Sequence, residues 1–78
     1  MTAKEWAQTY LYEAYNVAEH ADRLVQIARY ELNEAENVES ALATLRQALE
    51  PAYRIEMRIR DAIEKLEALR AEQEAVQP

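Results

Sequence analysis

The chain has 78 residues and a formal charge of −6, from fifteen acidic and nine basic side chains, with no cysteine and no glycine. Disulfides and thiolate metal sites are thereby excluded, a lone histidine does not nucleate a metal-held fold, and the acidic balance opposes the counterion release that drives non-specific nucleic-acid binding. No apolar run is long enough for a bilayer, and the start Met1-Thr2-Ala3-Lys4-Glu5-Trp6 has no signal-peptide pattern, so one cytoplasmic helical domain over 1–78 is expected, without membrane, nucleic acid, metal or cofactor.

Alanine, glutamate, leucine and arginine dominate, the composition of long helices. Thr2 and Glu5 form a T-x-x-E capping box, which predicts a helix over 3–32. Within it alanine recurs every seventh residue, at Ala7, Ala14, Ala21 and Ala28. A second row, Leu11, Ala18, Val25 and Leu32, runs offset by four. The resulting four-three alternation predicts a seam against another helix, with axes approaching to about 8 Å because alanine is small. Tyr10, Val17 and Leu24 widen the stripe beyond a minimal seam, as in a helix with more than one neighbour.

Residues 33–37, Asn-Glu-Ala-Glu-Asn, form the expected turn. Asparagine tolerates the left-handed conformation that ends a helix, a role that suits Asn33, and it caps the next one, a role that suits Asn37. A second helix is predicted over 38–72, with apolar positions including Val38, Ala41, Leu42, Leu45, Leu49, Ile55, Ile59, Ile63 and Leu66. Pro51 removes a helical hydrogen bond, yet the apolar rows keep their phase across it. The expectation is therefore a kink near residue 51; the alternative is a third helix starting there, giving a three-helix bundle. The polar tail, 73–78, is expected to fray.

The predicted fold is all-α: an antiparallel helical hairpin, kinked at Pro51, pairing into a dimeric four-helix bundle. A lone hairpin buries one side of each helix, and two-fold pairing covers the rest. Ala7, Ala14, Ala21, Ala28, Leu45, Ile59 and Ile63 are the expected self-association residues of this homodimer.

Residues suited to chemistry are sparse. Di-iron bundles need Glu-x-x-His pairs, and the residue three before His20 is Val17. His20 thus reads as structural and partly buried. Glu31 and Glu56 interrupt apolar rows and are expected to set register through arginines of a partner helix. Arg54, Arg58 and Arg60 form the basic cluster, more simply read as inter-helix ion pairs than as a ligand site. No residue reads as catalytic. Tyr12 and Tyr15, with Glu19 and Tyr30, lie off the apolar stripe, and exposed tyrosine is enriched at interfaces. The expected function is a small acidic protein–protein interaction module acting as regulator, adaptor or inhibitor of a protein partner. The alternative is a helical-bundle enzyme with an arginine-lined anion site.

Overall fold

The computed structural model describes residues 1–76, and all of its regular structure is helical: α1 spans Ala3–Asn33 and α2 spans Val38–Val76. The helices pack against each other as a hairpin, antiparallel because Glu31 meets Thr44 at one end while Trp6 meets Lys65 at the other. Within the described residues no third helix begins at Pro51; α2 runs continuously through it. α2 is helical through Val76, including residues 73–76 of the tail that was expected to fray. Gln77 and Pro78, the rest of the expected tail, lie outside the described residues.

Thr2 caps α1 with extended backbone, its hydroxyl oxygen accepting from the Glu5 amide at 3.2 Å. The Glu5 carboxylate closes the box by accepting from the Thr2 hydroxyl instead of the Thr2 amide. At the far end Glu34 and Ala35 N–H groups both reach the Tyr30 carbonyl, and the Asn37 N–H reaches that of Glu31. The left-handed residue of the turn is Glu36, at φ 49°, and not Asn33, which is the last residue of α1. With no glycine in the chain, a residue with a Cβ takes that conformation at a steric cost of about 1–2 kcal/mol. Asn37 caps α2 as expected, its side-chain oxygen accepting from the Ser40 amide at 3.0 Å.

The seam differs from the one the alanine spacing suggested. Ala7, Ala14 and Ala28 are buried, but the row that completes the contact with them is Ala3, Tyr10, Val17, Leu24 and Glu31. Leu11, Val25 and Leu32 stay exposed. An alanine row flanked by apolar rows on both sides makes a valid seam with either, so only the partner helix decides. On α2 the inward rows are Ala41, Ala48, Ile55, Ala62 and Leu69 alternating with Thr44, Pro51, Arg58 and Lys65.

The cross-helix contacts of Glu31 with Thr44, Glu13 with Arg58, and Trp6 with Lys65 fix the register. Carried along at heptad spacing, that register sets Ala7 opposite Lys65, Ala14 opposite Arg58, Ala21 opposite Pro51 and Ala28 opposite Thr44. It likewise sets Tyr10 opposite Ala62 and Leu24 opposite Ala48. Every layer except the central Val17–Ile55 one therefore contains an alanine, so the interior is thin. The molecule measures 63 × 18 × 13 Å, with a radius of gyration of 18.0 Å against about 11.5 Å for a compact chain of this length.

Candidate functional site

The two broad sides of the hairpin differ in chemistry. In an antiparallel pair the residues just after the inner rows of the two helices share one side, and those just before share the other. One side carries Leu11, Ala18, Val25 and Leu32 from α1, beside Val38, Leu45, Ala52, Ile59 and Leu66 from α2. Leu42, Leu49 and Ile63 extend the α2 part. The large apolar residues here are 40–68% exposed, so this side presents an apolar face to water, interrupted by Glu56 between Leu49 and Ile63.

The opposite side is polar and pinned. Trp6 stacks on Tyr10 at 5.6 Å, with Lys65 over Trp6 and Arg58 over Tyr10. Arg58 also pairs with Glu13 across the hairpin at 2.6 Å and with Asp61 at 2.9 Å. The Asp61 hydrogen bond first, and the Glu13 charge next, hold this guanidinium charged more firmly than usual. Arg58 and Lys65 are only partly buried, their charged heads engaged by Glu13, Asp61 and the Trp6 ring, so arginine and lysine fit at seam positions. Farther along, Asn16, Val17, His20, Glu50, Pro51 and Arg54 line a shallow groove of about 270 Å³.

The three arginines of the basic cluster do not converge. Arg54 pairs with Glu50 and Arg60 with Glu56, each at 2.7 Å along the same helix, while Arg58 serves Glu13 and Asp61. An incoming anion would have to displace a carboxylate at each. His20, expected to be partly buried, is exposed on the rim of the groove by Glu50, Pro51 and Arg54, whereas Glu56 bonds Arg60 on the outer side of α2. Glu31, expected to meet an arginine, instead accepts hydrogen bonds from the hydroxyls of Ser40 and Thr44 in its own chain. That cross-helix contact was hidden in the sequence, because hydroxyl partners carry no charge signal. Among the described residues no group of histidine and acidic side chains is placed to hold a metal ion, and no helix is long and apolar enough to cross a membrane.

The candidate partner residues Tyr12, Tyr15, Glu19 and Tyr30 are all exposed. Tyr12, Tyr15 and Glu19 follow one another along successive turns of α1. Tyr15 also neighbours Leu11 and Ala18 at helical spacing, so it borders the apolar face, while Tyr12 points directly away from α2. Tyr30 lies about 27 Å farther along the axis and forms no patch with the others. Of the candidate self-association residues, Ala7, Ala14 and Ala28 are buried against α2 of the same chain and Ala21 partly so, whereas Leu45, Ile59 and Ile63 stand on the apolar face. The chain matches no family model, no curated protein and no solved structure.

Proposed function

We propose that this chain is a protein–protein interaction module: a small, acidic, cytoplasmic regulator, adaptor or inhibitor that works as a homodimeric four-helix bundle. The observation that carries the reading is the apolar face of Leu11, Val25, Leu32, Leu42, Leu45, Leu49, Ile59, Ile63 and Leu66, left in water by a hairpin whose own interior is mostly alanine. Pairing of two hairpins through Leu45, Ile59 and Ile63 supplies the large-residue core that each lacks. Within the bundle α2 bends at Pro51, since the ring excludes the Gln47 carbonyl from its usual bond. Tyr12, Tyr15 and Glu19 then remain outside for a protein partner, with Tyr30 as a separate contact.

Sedimentation equilibrium tests the pairing. Leu45 and Ile59 each contribute about 1.5–3 kcal/mol when buried, so Leu45→Glu with Ile59→Glu is expected to weaken self-association at least ~100-fold. A wild-type chain that stays monomeric at micromolar concentration overturns the reading.

A further inference from the structure

On the reading that the chain pairs with itself, we infer the manner of pairing: two copies dock by their apolar faces with a two-fold axis that crosses α2 beside Ala52 and α1 midway between Ala18 and Val25. An isologous interface must be complementary to itself, so each side chain meets its counterpart across the axis. Both exposed rows have that symmetry. About Ala52, Leu45 balances Ile59 and Val38 balances Leu66. About the midpoint of the α1 row, Ala18 balances Val25 and Leu11 balances Leu32. Large side chains meet large ones toward the ends, while at the middle Ala52 meets its own copy and Ala18 meets Val25.

The two centres also coincide in height. The register fixed by Glu31–Thr44, Glu13–Arg58 and Trp6–Lys65 puts the midpoint of the α1 row, residues 21–22, beside residues 50–51 of α2. That is within about 3 Å of Ala52 along the axis. One axis therefore serves both helices, as a two-fold pair of rigid hairpins requires.

The area suffices. The chain exposes 6170 Å², whereas a compact 9.1 kDa protein exposes about 4,900 Å². The excess of about 1,300 Å² is larger than the roughly 800 Å² that each partner buries in a standard stable interface.

The absence of cysteine makes the test direct. Single variants Arg46→Cys, Tyr53→Cys and Arg60→Cys carry a nitroxide at exposed positions beside the apolar row, and pulsed dipolar spectroscopy on the full chain reads the distance between the two copies. Antiparallel pairing about Ala52 gives the shortest distance at Tyr53→Cys, where the axial offset between copies is about 3 Å, and longer ones at Arg46→Cys and Arg60→Cys, where it is about 18 and 24 Å. Three equal distances in a chain of dimeric mass overturn this arrangement and leave self-pairing standing, since parallel helices keep equivalent positions level. A monomeric mass with no distance between copies overturns both. Should the label at Tyr53 lower the helical signal, Glu39→Cys and Glu67→Cys repeat the measurement, with distances of about 40–45 Å expected at both.

Discussion

Thr44 reaches across the hairpin to Glu31, its hydroxyl donating to one carboxylate oxygen at 2.6 Å. Ser40 donates to the other oxygen of the same carboxylate. An acid on a helix seam is thereby satisfied by neutral donors from the first turns of α2, and the turn is tied from both sides. The Ser40 hydrogen bond first, and the Thr44 one next, hold the Glu31 carboxyl below its ordinary value of 4.5.

This lowering has a defined consequence for stability. A carboxylate with a depressed folded-state value contributes fully above its ordinary value of 4.5 and loses that contribution as pH falls through the lowered one. Glu31→Gln is expected to melt below the wild type at pH 7, with the gap closing as pH drops below about 4. Thermal melts at pH 7, 4.5 and 3 check this. A gap independent of pH would mean that the two hydroxyls do not favour the charged form.

Enlarging the buried alanines is expected to be damaging. Ala14 and Ala28 are 8% and 5% exposed, and the register places Arg58 and Thr44 opposite them. Ala14→Leu or Ala28→Leu pushes the helices apart and should lower stability by about 1–3 kcal/mol in urea unfolding. A raised midpoint for either variant would show that the seam has room to spare.

Tyr12 and Tyr15 make little contact within the hairpin, at 68% and 63% exposed. Tyr12→Ala with Tyr15→Ala should keep the far-ultraviolet helical signal, while losing about 2 kcal/mol of affinity for a partner they anchor. Tyr15 borders the apolar face and Tyr12 does not, so the single variants separate two effects. Weaker self-association from Tyr15→Ala alone would assign that residue to pairing, and unchanged partner affinity in the double variant would remove both from the binding surface.

Pro51 sits buried inside α2, opposite Ala21. A proline within a helix costs about 3 kcal/mol, and losing the ring's buried carbons removes about 0.8 kcal/mol for each methylene. Pro51→Ala should therefore stabilise the chain by about 1 kcal/mol, read as a shift of the urea midpoint at unchanged slope. A destabilised variant would mean that the ring fills a space nothing else reaches.

The helical hairpin was legible in the sequence because the Thr2–Glu5 cap, the Asn37 cap and the heptad rows are local signals. The choice of seam was not. The alanine row is bordered by Leu11-Ala18-Val25-Leu32 on one side and Tyr10-Val17-Leu24-Glu31 on the other, and helical periodicity alone is indifferent between them. What decides lies on α2, where Arg58 and Lys65 need solvent for their charges and Trp6, Tyr10 and Glu13 for company. The partners of Glu31 were illegible for a related reason: charge patterning points to arginine, whereas the hydroxyls of Ser40 and Thr44 become partners only once the turn has folded back. The left-handed residue was misplaced because asparagine is the usual choice, and here Glu36 takes the position. The exposed tyrosines were readable from spacing, but the separation of Tyr30 from Tyr12 and Tyr15 follows from distance along the axis.

The mostly alanine interior makes the fold and the exposed apolar face separable. Nearly every internal layer asks only for a small residue opposite a larger one, a requirement that many sequences meet. The rows from Leu11 to Leu32 and from Val38 to Leu66 lie outside those layers. Rewriting them would change the exposed face and leave the scaffold intact, so descendants of one such hairpin can diverge in surface chemistry while sharing an almost unchanged inner sequence.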